Sequence, residues 1–309
     1  MDYMPLPSEN PITFRPLYQS PILSMSYYSC RIGRSGPEAE EYSDVNQIVL
    51  MRQGVFCRHF GRQSVTADVN QAMFFSRDST YRVSHPAECG DRGTILTPAT
   101  DVLRDIIREL DPSIDDHSEW TFPFASSPCD SGVFWRHYEL VRQLEASHSD
   151  PPYPVRIDET GLELIAGILK SALIRQGRPL KRHRTGTDAD HAACAEAVKA
   201  YLATHLGERI TLDDVARAVY TSPFHLARVF QQRTGLPIHR YLTRLRLRAS
   251  LDKLADGADD LTGLALELGF SSHSHFTDTF RREYGYTPSD VRCNAGHRML
   301  REISKNLEV

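Results

Sequence analysis

The chain has 309 residues and a formal net charge of −4, with 40% hydrophobic and 25% charged residues. This composition is typical of a globular protein with room for two domains, and the charge excludes a broadly basic surface. No apolar run approaches the roughly 18 residues that a membrane span needs, and the N-terminus lacks the basic and apolar regions of a secretory signal. We therefore expect a cytoplasmic protein without membrane contact.

The six cysteines are dispersed and include no C-x-x-C pair. In a reducing cytosol we expect free thiols, with a redox switch as the alternative. The cysteines are Cys30, Cys57, Cys89, Cys129, Cys194 and Cys293.

The first hundred residues have the pattern of short β-strands. Residues 47–60 are rich in strand-forming residues and predict one strand with a bulge at Gly54. Residues 63–70 and 71–75 predict two strands joined by the Asp-Val-Asn turn, and 81–85 and 93–97 continue the series. Several short strands with Gly, Pro and Asn turns predict a barrel or a sandwich.

From Thr100 the apolar spacing becomes helical, which predicts helices over 102–110, 133–144 and 162–173. The last of these has a broad apolar stripe that would form a dimer interface or, equally well, would cover the barrel. The stripe consists of Leu162, Leu164, Ile165, Ile168 and Leu169.

A polar stretch separates these helices from a last helical domain. Residues 175–190 have almost no apolar content and predict an exposed linker. We expect a β-rich domain with a following helical segment at 1–176, a linker at 177–190, a helical domain at 191–292 and a tail at 293–309. The predicted fold class is α+β, a β-barrel followed by an all-α domain.

The all-α domain contains one helix-turn-helix pattern written twice. Ser222, His225, Phe230 and Gly235 recur about fifty residues later as Ser272, His275, Phe280 and Gly285. Two such units on one chain can lie in successive major grooves of DNA. The helix predicted over 237–255 would hold them about 34 Å apart, one turn of DNA.

In the first unit, Ser222 is expected to cap a helix whose Leu226, Val229 and Phe230 face the core. The opposite face would read bases: Arg228 can bind guanine, and apolar side chains can pack on a thymine methyl. That face consists of Phe224, Ala227, Arg228 and Gln231.

In the second unit, Ser272 is expected near the helix cap, with Phe276 and Phe280 facing the core. The outward residues are Ser274, Thr277, Asp278 and Arg281. A carboxylate at Asp278 can accept a hydrogen bond from cytosine but repels phosphate. We therefore expect the first unit to supply most of the base specificity.

The C-terminal hundred residues resemble the AraC/XylS family of transcription regulators. The resemblance is carried by Leu212-x-x-Val-Ala, Ser222-Pro-x-x-Leu-x-x-x-Phe230, Gly235-Leu-Pro, Arg246-Leu-Arg, and the run Leu268-Gly-Phe-Ser-Ser272 continuing to Thr287-Pro288. It implies base contacts at Phe224, Ala227 and Arg228 and at His273, Ser274 and Asp278. Asp278 departs from the family, where many relatives carry Arg.

The strand-rich third resembles the cupin barrels that precede such domains and implies a pocket for a small organic effector. Arg52, His59, Tyr81 and His85 are the candidate polar contacts. A metal site formed by His59, His85 and Glu88 is the alternative, although the usual cupin metal pattern is absent. No metal or cofactor is expected.

Together these patterns predict a non-enzymatic, ligand-responsive transcription regulator, with a cupin-like sensing and dimerisation domain at 1–176 and a DNA-binding domain at 191–292. Its expected partners are double-stranded promoter or operator DNA, a small-molecule effector, a second copy of the chain and, for an activator, RNA polymerase. The alternatives are a metal-dependent cupin enzyme, which needs the missing ligand pattern, and a DNA-repair methyltransferase, which needs clustered zinc-binding cysteines.

Overall fold

The computed structural model describes residues 11–88, 90–111, 121–146, 154–176 and 185–293. The strands are β1 (Ile12–Gln19), β2 (Leu23–Cys30), β3 (Glu41–Ser43), β4 (Gln47–Gly54), β5 (Phe56–Phe60), β6 (Gln63–Ala67), β7 (Gln71–Phe75), β8 (Ser79–Ser84), β9 (Asp91–Pro98) and β10 (Ser126–Pro128). The helices are α1 (Thr100–Leu110), α2 (Ser131–Ala146), α3 (Pro154–Gln176), α4 (Thr185–Thr204), α5 (Leu212–Ala218), α6 (Pro223–Thr234), α7 (Ile238–Ala255), α8 (Leu261–Glu267), α9 (His273–Tyr284) and α10 (Pro288–Cys293).

The strands form two antiparallel sheets. One has six strands in the order β1-β2-β9-β4-β7-β10, and the other has four in the order β3-β8-β5-β6. Side chains from both sheets line a common cavity, so the sheets face each other. A sheet-rich N-terminal domain followed by a helical C-terminal domain confirms the predicted fold class.

The prediction of one bulged strand over 47–60 is wrong. β4 ends at Gly54 and belongs to the six-stranded sheet, whereas β5 begins at Phe56 and pairs with β6 and β8 in the other sheet. Gly54 has φ of 80°, and a Cβ there would lie 2.2 Å from the Gly90 carbonyl oxygen. Glycine therefore allows the chain to cross between sheets at this point. The register shift in β4 lies instead between Met51 and Gln53.

The turn at Asp68–Asn70 is where the sequence predicts it, but its two strands do not pair with each other. β6 pairs with β5 in the four-stranded sheet, and β7 pairs with β4 and β10 in the six-stranded sheet. The turn thus connects the two sheets. Its contacts with the C-terminal domain are described below.

The apolar stripe on α3 is buried inside the chain. Leu164, Ile165 and Leu169 are at most 1% exposed and belong to the hydrophobic core, and Ile168 packs with them. α3 packs against α1, α2, β2 and β10. The dimer-interface interpretation of this stripe is therefore wrong, and the covering interpretation is the correct one.

Helix α4 begins before the predicted end of the linker. α4 begins at Thr185, inside the expected linker of residues 177–190, and residues 177–184 lie outside the described residues. α4 also contacts β6, where the Thr66 amide donates to Glu196 Oε2 at 2.6 Å. The first helix of the C-terminal region thus packs directly on β6 of the N-terminal domain.

Four cysteines with described thiols, Cys30, Cys57, Cys129 and Cys194, are free. Cys89 and the Cys293 side chain lie outside the described residues. Across the described ranges, no helix is both long and apolar enough to span a membrane.

Candidate functional site

The first helix-turn-helix unit consists of α5 and α6. Thr211 caps α5 in a capping box with Asp214, and Ser222 caps α6 by accepting a hydrogen bond from the His225 amide at 3.3 Å. Pro223 occupies the first turn, and Gly235 ends α6 in the left-handed conformation with φ of 77°. The predicted cap, start and end of this helix are confirmed.

The inward and outward faces of α6 follow the predicted periodicity. Leu226, Val229 and Phe230 are buried, whereas Arg228 and Gln231 are exposed. Ala227 is half-buried, and together with Gln231 it borders a cavity of about 240 Å³ beside α5. The Phe224 side chain lies outside the described residues. Arg228 is thus the long cation that α6 presents to solvent at its centre.

The second unit, α8 and α9, repeats this construction. Asp260 caps α8 by accepting from the amides of Thr262 and Gly263. Ser272 caps α9 by accepting from the His275 amide at 3.1 Å, and Gly285 ends α9 with φ of 82°. The buried residues are Phe276 and Phe280, as predicted.

The outward face of α9 differs chemically from that of α6. Ser274, Asp278 and Arg281 are exposed. His273 and Thr277 are half-buried, and their side chains lie 3.5 Å apart. A carboxylate therefore stands on this face where the first unit presents Arg228.

The connecting helix α7 holds the two units together. Leu247, Leu251 and Leu254 are fully buried, as their spacing predicts. Arg246 donates to the carbonyl oxygens of Leu206, Glu208 and Gly269, which joins the end of α4 to the turn of the second unit. In the sequence, Arg246 stands out only as part of the family pattern.

The opposite face of α7 is bound by the β6–β7 turn. The Tyr241 hydroxyl donates to Asp68 Oδ2 at 2.7 Å, and the Arg248 guanidinium donates to the carbonyl oxygens of Val69 (2.7 Å) and Cys129 (2.9 Å). Asp68 is completely buried, and burial raises its pKa to about 6 despite the Tyr241 hydrogen bond and the nearby Lys199. Sequence reasoning missed this contact because its partners lie far apart along the chain.

Arg52, a predicted effector contact, lies at this same domain interface. It forms ion pairs with Glu145 at 2.9 Å and with Asp252 of α7 at 2.7 Å. Burial would lower the pKa of Arg52, but these two carboxylates outweigh burial and raise it. Arg52 is not among the residues that line the cavity between the sheets.

That cavity has a volume of about 330 Å³. Of the predicted effector contacts, Tyr81 and His85 line it, whereas His59 lies outside and its Nε2 is 2.7 Å from Ser84 Oγ. Its lining is rich in carboxyl and phenol groups. The polar and titratable lining residues are Tyr28, Cys30, Glu38, Glu41, Tyr42, Ser43, Asp44, Gln47, Tyr81, His85 and Asp91.

His85 is held between two carboxylates. Its Nε2 lies 3.1 Å from Asp91 Oδ2, and its Nδ1 lies 3.3 Å from Glu38 Oε1. Burial lowers the pKa of His85, but Asp91 and Cys30 outweigh burial and raise it to about 10. The imidazole is therefore a cation within an acidic cavity at neutral pH.

The metal set suggested by the sequence is not assembled. His59 faces Ser84, and Glu88 is an exposed partner of Arg34. Among the residues that the structure describes, Cys30, His85 and Asp91 form the one group of three or more such side chains whose donor atoms converge.

Two complete helix-turn-helix units in one helical domain define the class of protein, which is a DNA-binding transcription regulator. A family model described as "Helix-turn-helix domain" matches residues 215–294. The chain is 38% identical over 264 residues to the HTH-type transcriptional activator RhaS of Escherichia coli (strain SE11), covering 82% of this chain and 87% of the relative. The RhaS of Klebsiella pneumoniae (strain 342) is 26% identical over 255 residues, with the same coverage.

The chain therefore belongs to the AraC/XylS family of transcription regulators. Among solved structures, ToxT from Vibrio cholerae O395 is 12% identical, covering 89% of this chain and 98% of that one, with a TM-score of 0.33.

Proposed function

We propose that the chain is a transcription activator whose two DNA-reading units are controlled by a small organic effector bound between the two sheets. The proposal rests on the two sets of contacts that α7 makes. One face of this helix joins the two units, and the other face is buried against the domain that contains the cavity.

β4 provides a physical route from the cavity to α7. Gln47 and Val49 of this strand line the cavity, and Arg52 of the same strand forms the ion pair with Asp252 of α7. An effector that shifts β4 therefore changes the position of α7, and with it the spacing of the two units. Because DNA fixes that spacing at one helical turn, a small shift changes operator affinity.

The lining of the cavity favours a neutral or cationic effector. Glu38, Glu41, Asp44 and Asp91 line it, and no Lys or Arg is among its described lining residues. Burial raises the pKa of Glu41, and the Tyr81 hydroxyl is its hydrogen-bond partner. Hydroxyl, amine or guanidine groups of an effector would satisfy these acceptors.

The proposed DNA contacts keep the assignment made from the sequence. Ser222 and Ser272 lie at the helix N-termini that would face phosphate, and the other residues lie along the two helices. The full set is Ser222, Phe224, Ala227, Arg228, Gln231, Ser272, His273, Ser274, Thr277, Asp278 and Arg281.

The remaining partners follow from the regulator class. The named relatives are transcriptional activators, which favours a regulator over the two enzyme alternatives and makes RNA polymerase the expected protein partner. The chain would act in the cytoplasm, beside the DNA.

A homodimer stays a prediction. The apolar stripe on α3 no longer supports it, because that stripe is buried within the chain. Sedimentation velocity of the full chain at micromolar concentration tests it.

A two-stage experiment tests effector control. Small molecules are screened for those that raise the melting temperature of the full chain, and each hit is then tested for a change in operator affinity. Glu41→Gln should weaken the response to a true effector. Glu40→Gln is the matched control, because Glu40 is exposed and lies outside the cavity. Hits that stabilise the chain but leave operator affinity unchanged would contradict the proposal.

A further inference from the structure

We propose that Cys30, His85 and Asp91 bind a divalent transition-metal ion, with Zn²⁺ as the best match, on the wall of the cavity between the sheets. All three side chains are buried, and all three line the cavity. The ion would keep a fourth coordination position that faces the cavity.

The spacing of the donor atoms fits a tetrahedral ion. Cys30 Sγ lies 3.4 Å and Asp91 Oδ2 lies 3.1 Å from His85 Nε2, and all three donor atoms lie within 4.8 Å of one another. Ligands at ordinary zinc distances stand about 3.3–3.6 Å apart in a tetrahedral site. The two distances from His85 Nε2 therefore lie within about 0.3 Å of those in a tetrahedral zinc site.

Buried Asp91 contacts His85 as an ion pair that lacks hydrogen-bond geometry. Its side chain is 3% exposed, and its Oδ2 accepts no hydrogen bond even though His85 Nε2 lies 3.1 Å away. The two groups are thus close but poorly aligned for a hydrogen bond. The ion pair with His85 leaves this buried oxygen without an aligned donor, and a metal ion that replaces the Nε2 proton would be shared by both side chains.

The surroundings of His85 match those of a metal-bound imidazole whose other ring nitrogen faces a hydroxyl and a carboxylate. Its Nδ1 lies 3.2 Å from Ser35 Oγ and 3.3 Å from Glu38 Oε1, which leaves Nε2 directed at the cluster. Backbone hydrogen bonds between Ser35 and His85 fix this geometry. Metal-binding histidines are commonly oriented by such a carboxylate or hydroxyl on the other ring nitrogen.

The donor set selects the class of ion. A thiolate, an imidazole and a carboxylate suit Zn²⁺ or Co²⁺, whereas Mg²⁺ and Ca²⁺ prefer oxygen ligands. On binding, the Cys30 thiol and the His85 Nε2 each release a proton to solvent, and the two anionic ligands balance the charge of the ion. The cavity, at about 330 Å³, is far larger than one ion, so an organic effector could occupy the rest of it.

Metal titrations of the tag-free full chain, stripped of metal by a chelator, test the proposal. We expect one Co²⁺ per chain, with a thiolate-to-cobalt charge-transfer band and the visible bands of four-coordinate cobalt, and displacement of Co²⁺ by Zn²⁺. Cys30→Ser should abolish the charge-transfer band. Glu38→Gln should weaken Zn²⁺ binding about 10- to 100-fold. Cys57→Ser is the matched control, because Cys57 is a half-buried strand cysteine outside the cavity.

The proposal is overturned if the wild-type chain gives no stoichiometric cobalt band, or if Cys30→Ser keeps the band. Stabilisation by organic amines without any metal binding would also overturn it and would identify a purely organic cationic ligand. If Cys30→Ser fails to fold, the half-exposed Glu38→Gln and the Cys57→Ser control still decide the outcome. The inference deepens the proposed effector site, but the titrations use neither DNA nor effector, so their failure leaves the proposed function standing.

Discussion

The two helix-turn-helix units share a scaffold but differ on the surface that would face DNA. Both have a serine cap, a fully buried phenylalanine in the second half of the reading helix and a left-handed glycine at its end. Arg228 is exposed on the first helix, whereas Asp278 is exposed on the second. The duplicated residues are thus those that fix the fold, while the residues available for base reading have diverged.

The units also differ in their attachment to the N-terminal domain. In the first unit, the Thr234 carbonyl accepts a 3.4 Å hydrogen bond from Arg175 of α3. In the second, Glu283 accepts from Ser131 of α2, and the Tyr284 ring packs 5.3 Å from the Trp135 ring. The second unit therefore has the more extensive aromatic contact with the N-terminal domain, whereas the first presents a guanidinium, a group that can donate to guanine.

The largest expected effect tests the shared scaffold. Phe230→Ala and Phe280→Ala should each lower the free energy of unfolding by about 3–5 kcal/mol, because each removes a fully buried ring. Urea denaturation measures both, with the exposed Leu266→Ala as the control. A difference above about 2 kcal/mol between the two variants would show that the repeated cores are not equivalent.

The second prediction concerns the contact between α7, which holds both units, and Asp68 of the β6–β7 turn. The pKa of Asp68 is raised by burial to about 6, so its contribution to stability is complete below its unfolded pKa near 3.9 and is lost as pH rises through about 6. The unfolding free energy of the wild type relative to Asp68→Asn should therefore fall by at most about 3 kcal/mol between pH 4 and pH 7.

Denaturation of both proteins across this pH range measures the difference, with the exposed Asp105→Asn as the control. A difference that is flat or rises with pH would contradict the burial of Asp68 against Tyr241.

The substitution Arg228→Ala tests the difference between the exposed faces of α6 and α9. We expect operator binding to weaken by about 1–3 kcal/mol and the preference at one base pair to relax, because the guanidinium can bridge two guanine acceptors. Fluorescence anisotropy on single-base operator variants measures both changes. Arg104→Ala on α1 removes the same charge from an exposed site in the other domain and should have no effect. An unchanged base preference would disprove the assigned face of α6.

The smallest expected effect belongs to Asp278→Ala. Removing a carboxylate that repels phosphate should leave operator affinity equal or slightly higher, with little change in its salt dependence. The same anisotropy assay applies, with the exposed Glu109→Ala as the control. A loss above about 2 kcal/mol on operators with one particular base pair would instead show that Asp278 reads a base directly.

Local features were predictable from the sequence, and long-range contacts were not. The caps, the buried Leu226 and Phe230 and the terminal Gly235 depend on residues a few positions apart, so the helical period indicates them. The contact of Arg248 with Val69 joins residues 179 positions apart, and no local pattern specifies it.

The same distinction explains the errors in the barrel and on α3. Gly54 looks like a bulge in one strand until the partners of β4 and β5 are known. An apolar stripe such as that on α3 does not indicate whether its partner belongs to the same chain. Similarly, Cys30, His85 and Asp91 converge because β2 and β9 pair, bringing Cys30 opposite Asp91.

The full chain can be used to select binding sites from random DNA. This selection tests whether one chain reads DNA with two units of unequal specificity. We expect two conserved blocks about 10–10.5 base pairs apart, centre to centre, on one face of the duplex, with stronger conservation in the block bound by α6. A single conserved block, or two blocks separated by half a turn, would contradict it.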